Sequence, residues 1–339
     1  MKKTFKSLIT MALAVLATAG CKNANAPVLL PNVSGKAGEI VVVIEREPWE
    51  GNTGAELRSA LASDCPYLAL REPLFNLTNV PSGSFNNMFK MHRNILIMNI
   101  NPQNQSTGVV YKSDEWAHPQ AVVQINSFDE KGAIELIKEN TRNLQEYFEQ
   151  AERDRIITNS KRYEELALRP FVEELTDGDI HFPSGYKLKK KTDDFLWITD
   201  DKQFSNQAVL IYRYPASGNN DFAEKTLLDN MNREMKDNVP GMFENTWMVI
   251  SNAIAPTLES LSYKGRKFMQ VRGFWEVYND YMGGPFVAHA FYSKDGKDII
   301  VLQAFVYAPK YDKRQYLRVV ESLLYSFEWK EDTEKAQKG

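Results

Sequence analysis

The chain has 339 residues, 43% of them apolar and 25% charged, and 41 Lys and Arg against 44 Asp and Glu give a net charge of −3. This apolar content and small charge exclude a disordered chain, while 18 Gly and 15 Pro exclude a collagen-like one. A pI near 6.0 gives no overall attraction for nucleic acid, and the length suits two domains of ordinary size.

Residues 1–20 read as a lipoprotein signal peptide. Lys2, Lys3 and Lys6 form a basic start, and Leu8 to Ala19 form an apolar run. That run is shorter than the ~20 residues needed to cross a bilayer. Thr18-Ala19-Gly20-Cys21 resembles the bacterial lipobox, with Thr where Leu is usual. Cleavage before Cys21 makes that residue the expected lipidation site and the membrane its expected partner; the alternative is an ordinary signal peptide cut elsewhere. Removing residues 1–20 leaves 38 basic against 44 acidic residues, or −6. Two or three acyl chains hold far more firmly than one. With Cys21 acylated, Cys65 has no partner for a disulfide. It reads as a small buried residue at a helix exit, with a nucleophile as the alternative.

Residues 21–37 are an aperiodic tether. A first half is expected over 38–175. Ile40–Ile44 is a continuous β-branched run and reads as a buried strand. Trp49–Asn52 reads as a loop, followed by a helix with Leu57, Ala60 and Leu61 on one face. Strands are predicted near Leu74–Val80, Asn94–Ile100, Val109–Lys112 and Ala121–Asn126, with a short helix at Phe85–Lys90. The period then changes: Asp129 to Arg155 places Ile134, Ile137, Leu144, Phe148 and Ala151 on a helical face. A further helix is expected from Ser160 to Leu175, kinked or restarted at Pro170.

A second half is expected over 176–330, with a polar tail at 331–339. Strands are predicted at Tyr186–Lys189, Phe195–Thr199 and Ala208–Tyr214, then a helix from Asp221, as cap, to Lys236. Lys267–Tyr278 alternates as a long strand, with Met269, Val271, Trp275 and Val277 on one face and Gln270, Arg272 and Glu276 on the other. Phe286–Tyr292 and Asp298–Tyr307 flank Asp295-Gly296, a hairpin signal. A closing helix is predicted at Tyr311–Tyr325. The fold class is α+β: two sheet-and-helix halves with mainly antiparallel sheets, joined by a long helical region. The second half has an element order similar to the PsbP-type fold, an analogy that carries no function. A shared Val-x-Gln pattern, starting at Val122 and Val301, leaves internal duplication open.

No metalloprotease, redox, Walker, nucleophile-elbow or dinucleotide motif is present. The four histidines, His92, His118, His181 and His289, are spread along the chain, so no metal site, catalytic set or cofactor is assigned. Lys187–Lys191 reads as a solvated strand edge. Candidate ligand-contact loops are Trp49, His92-Arg93 and Trp116 with His118, all at strand ends, where ligand contacts concentrate. His92 is a residue type suited to proton exchange, Arg93 can fork onto a carboxylate or phosphate, and Trp116 can stack. Alternatively, Arg93 pairs with an internal acid and Trp116 covers the core.

Leu29–Gly35 leading into Gly38–Ile44, then Trp49-Glu50-Gly51, Asp64-Cys65-Pro66-Tyr67, Arg71–Phe75, Asn79-Val80-Pro81 and His92–Leu96, together resemble the Bacteroidetes envelope lipoproteins grouped as domain of unknown function 4837. The resemblance implies a bacterial lipoprotein, with one family unit running through both halves, and implies no reaction. Residues 22–26 lack the acids that surface-exported lipoproteins of this group carry, so the expected location is the outer membrane facing the periplasm. The expected role is non-catalytic: a lipid-anchored protein that binds an unidentified ligand or envelope protein, or serves a structural role. The alternative is an envelope hydrolase using His92 or His118 as base with a carboxylate such as Asp114.

Overall fold

The computed structural model describes residues 29–331. The expected signal, Cys21, the start of the tether and the tail beyond Glu331 lie outside the described residues. Helices and mostly antiparallel strands make an α+β molecule with two main sheets.

The first sheet is built from β1 (Glu39–Val43), β2 (Asn76–Val80), β3 (Asn94–Ile100), β4 (Gly108–Ser113) and β5 (Ala121–Ser127), in the order β2-β1-β3-β5-β4. It departs from the antiparallel pairing expected of it. β1 runs parallel to β2 and β3, and β3 runs parallel to β5; β4 alone is antiparallel, against β5. The reason lies in the runs Ile40–Val43, Ile95–Leu96 and Ala121–Val123, buried on both faces, as parallel strands are. Helix α1 (Arg46–Glu50) occupies the segment read as a loop, and α2 (Asn52–Leu61) follows it at once. A short α3 (Asn87–Lys90) is capped by Asn86.

Helix α4 (Glu130–Arg162) is 33 residues, about 50 Å long. Its N-terminal part buries Ala133, Ile137, Leu144 and Phe148 against the first sheet. Its C-terminal part contributes Ile157 to the core of the second. One helix thus serves both cores. The helix expected over 160–175 is broken: the chain extends at Glu164, then α5 (Arg169–Thr176) starts with Pro170 in its first turn. There the missing N–H costs nothing, so Pro170 begins a helix rather than kinking one.

The second sheet joins β7 (Lys187–Lys191), β8 (Phe195–Lys202), β9 (Ser205–Pro215), β10 (Met248–Ile250), β11 (Thr257–Tyr263), β12 (Arg266–Val277), β13 (Gly283–Tyr292) and β14 (Asp298–Tyr307). The order is β10-β12-β13-β14-β9-β8-β7, with β11 also on β12, and every pairing is antiparallel. Helix α6 (Glu224–Asn238) covers one face through Leu227, Met231 and Met235. Helices α5 and α7 (Arg314–Tyr325) cover the other. Asp221 does not cap α6; it accepts from the Ser217 and Gly218 amides and ties down the preceding turn. A two-stranded ribbon pairs β6 (Gly178–Asp179) with β15 (Glu328–Trp329). The two main sheets differ in pairing sense and strand order, so the halves are not two copies of one unit.

Candidate functional site

A cavity of about 1150 Å³ opens between the halves. Its walls are α4 and the Ser63–Pro66 loop on one side, β11, β12 and α7 on the other. On α7, Arg318 is clamped by Glu149 of α4 and also donates to Leu74 O at 3.0 Å. Arg272 on β12 pairs with Glu321 of α7 and donates to Gln270 Oε1 at 2.8 Å. Arg153 of α4 lies over the Tyr325 ring at 3.7 Å. Glu72, from the first half, accepts the Lys313 and Arg314 amides at 2.7 and 2.8 Å, satisfying two free N–H groups at the start of α7.

Polar side chains reach this interior because β12 turns one face to α6 and the other to the cleft. Val271, Trp275 and Val277 go into the core, while Gln270 and Arg272 line the cavity. Behind Gln270, His289 is fully buried beneath Phe268 and Tyr325. Burial, and then the Arg266 charge, push its imidazole well below its ordinary value, so it is neutral there. Cys65 lines the same cavity, and burial pushes its thiol up to about 11. A thiol that stays protonated at neutral pH is a poor nucleophile.

The candidate residues sit elsewhere, mostly at the N-terminal edge of the first sheet. Residues 32–34 form a strap between the two histidine loops: Asn32 bridges His118 and Ser34 bridges His92. Gln120 stitches the loops together by donating to Lys90 O and His92 O and accepting from the Trp116 amide. His92 packs beneath Gly35, whose φ is +88° and where a Cβ would stand 2.2 Å from the imidazole. Its Nε2 faces Glu39 at 3.5 Å. Arg93 pairs with buried Glu152 at 3.1 Å. Glu152 also accepts from Asn94 at 2.8 Å and pairs with Arg155, making a polar knot where the apolar stripe of α4 changes cores. Trp116 packs edge-on against Phe85, with ring centres 5.6 Å apart. Trp49 sits on α1 under the Arg58 guanidinium.

His118 is the exposed one. Its Nδ1 meets Asp114 Oδ2 at 2.8 Å, beside a cavity of about 300 Å³ shared with Gln120, Tyr147, Asp154 and Arg155. Burial raises the Asp114 carboxyl, but the Gln120 amide and His118 together hold it below its usual range. The structure thus brings His118 and Asp114 into contact. It does not bring His92 into that cavity.

Among the described residues, Glu164, Asp179 and His181 form one group whose ligand atoms lie within 4.8 Å of one another. Arg169 reaches between the two carboxylates, 2.9 Å from Glu164 and 2.8 Å from Asp179, and supplies the positive charge they need. His181 adds contacts of 3.1 Å to Glu164 and 3.8 Å to Glu328. No helix among the described residues is long and apolar enough to cross a membrane.

Two families match the chain, one in each half. The family described as Domain of unknown function (DUF8532) matches residues 33–161. The blocks from Gly38 to Leu96 that resemble the other family fall in this region, so the expectation of one family unit through both halves is corrected. No curated protein matches. Among solved structures, the chain is similar to that of a point mutant of "Protein Mog1", at 10% identity and a TM-score of 0.29, covering 45% of this chain and 90% of that one. The family described as Domain of unknown function (DUF4837) matches residues 167–326, so it is the second half of the chain that matches this family.

Proposed function

We propose that this is a lipid-anchored envelope protein, held by Cys21 and facing the periplasm, that binds a small molecule in the cleft between its halves without transforming it. The supporting observation is the cleft itself. It combines volume, edge-to-face aromatic rings and fixed polar groups, as ligand sites do. The ionisable groups nearest a nucleophile or base role are held out of it: Cys65 as a protonated thiol, His289 as a buried neutral ring. The test is native mass spectrometry of the full chain extracted from envelopes. A small-molecule adduct is expected on the wild type and lost in Ser262→Trp, which fills the cleft from an exposed strand position. No adduct on the wild type, or one that survives Ser262→Trp, overturns the reading.

A second reading rests on the His118–Asp114 contact, the arrangement of a base with its orienting carboxylate. It calls for cleavage of isolated envelope glycan by the purified chain, abolished by His118→Ala.

A further inference from the structure

The cleft is lined by five carboxylates and five arginines, and their pairing is unequal. Asp64 meets Arg71 at 3.3 Å, and Glu146 and Glu259 both meet Arg142, at 2.6 and 3.6 Å. Glu149 holds Arg318, and Glu321 holds Arg272. Every carboxylate in the lining therefore has an arginine in contact, Glu146 and Glu259 sharing one. Among the described residues, the side chains of Arg153 and Arg314 have no carboxylate in ion-pair contact. Arg153 makes one side-chain hydrogen bond, to Gln150 Oε1 at 2.8 Å, and spends its flat face on Tyr325. Arg314 donates through Nη1 to Pro73 O and Asn76, while its buried Nε has no partner. A guanidinium carries five N–H donors, so both keep donors free.

Resting on the binding reading above, we propose that the cleft's occupant is a small organic acid whose carboxylate is received by Arg153, with Arg314 a second free cation toward the other end of α7. The guanidinium fork matches a carboxylate's two oxygens. A more highly charged phosphate ester fits less well, because Glu149, Glu259 and Glu321 surround the same space. The start of α7, where a phosphate would find free amides, is already occupied by Glu72. The arginines also stand out chemically, since the lining holds no lysine. Burial and then the Arg318 charge bring the Arg314 guanidinium below its ordinary value, as expected of a cation short of a counter-charge.

The test uses the full chain in detergent and two matched probe pairs: D-glucuronate against D-glucose, and N-acetylalanine against its methylamide. The pairs separate a sugar acid from a peptide carboxylate. Calorimetry should show at least one acid binding about 10-fold or more tighter than its neutral twin. Arg153→Gln should remove that advantage and Arg153→Lys should keep part of it, with thermal melts confirming that both variants are folded. Neutral twins binding as well as the acids, no binding by either acid, or an unchanged advantage in Arg153→Gln overturns the proposal. A neutral adduct in the native spectrum overturns the acid while leaving the cleft reading intact. Absence of any adduct overturns the cleft reading itself.

Discussion

Arg318 and Glu149 meet as a two-pronged ion pair across the seam between the halves, Nε to Oε2 at 2.9 Å and Nη2 to Oε1 at 2.5 Å. Arg318 is 6% exposed, so its charge depends on that partner.

Glu149→Ala leaves a buried guanidinium unneutralised. Breaking a buried pair from one side costs about 3 kcal/mol, and the partial exposure of Glu149 brings the expected loss to roughly 2 kcal/mol. Urea unfolding at neutral pH measures it. A loss below about 0.5 kcal/mol, the scale of a surface pair, contradicts the account.

Acid and alkali should loosen the ribbon of β6 and β15 at different points. The His181 hydrogen bond, with help from Lys161, holds the Glu328 carboxyl at about 2, below its ordinary 4.5. Its folded value is depressed, so its contribution is present above about 4.5 and lost as pH falls toward 2. Burial opposes charging of His181, yet Glu328 and Glu164 outweigh it and raise its value above 6.5. Its contribution is therefore complete below 6.5 and lost as pH rises through the folded value. Glu328→Gln should lower the His181 midpoint read by NMR titration; an unmoved midpoint would falsify the coupling.

A fragment starting at Gly178 omits Ile157, Leu168, Val172 and Leu175, all of which sit in the core that β9, β14 and α7 share. Each buried side chain contributes roughly 1.5–3 kcal/mol, and together they approach the whole stability of an ordinary domain. Residues 155–331 should melt cooperatively with dispersed amide signals, and 178–331 should not. Equal cooperativity in the two fragments would show that these four residues are dispensable.

Cys21→Ala should move the chain from the membrane to the soluble fraction of lysed cells. Protease added to intact cells should leave the wild type uncut. Retention of the variant in membranes, or digestion without lysis, would contradict the anchor and the periplasmic orientation respectively.

The strands were legible in the sequence because apolar periodicity is local. Ile40–Val43, Lys267–Val277 and the Asp295-Gly296 hairpin stand where the pattern puts them. Pairing sense was less legible: the continuous run at 40–44 signalled burial, and parallel neighbours follow from burial only once the topology is known. β11 escaped because its residues alternate between exposed and half-buried at a sheet edge, which resembles a loop. Cleft residues were hidden for another reason. Gln270 and Arg272 appeared correctly as the polar face of a strand, but that face meets α4 and α7 only through contacts distant in sequence. The signal that could have found them is a polar alternation on a central strand, where solvent should not reach. His118 and Asp114, four residues apart in one loop, were within reach of sequence reasoning, and the structure places them in contact.

Glu72 gives the seam a mechanical asymmetry. At its end of the cleft the halves are held by amides and a guanidinium that would be left unsatisfied if parted. Toward β11 the ties are the exposed Tyr67–Thr257 hydroxyl contact and Arg142–Glu259 pair, with one part-buried hydrogen bond from Gln150 to the Tyr263 hydroxyl and Arg153 over the Tyr263 ring. Water replaces the exposed contacts at little cost, and salt weakens the ionic one further. On the binding reading proposed above, the exposed contacts at β11 should part more easily than those at α7, and a guest's entry there should become easier as ionic strength rises.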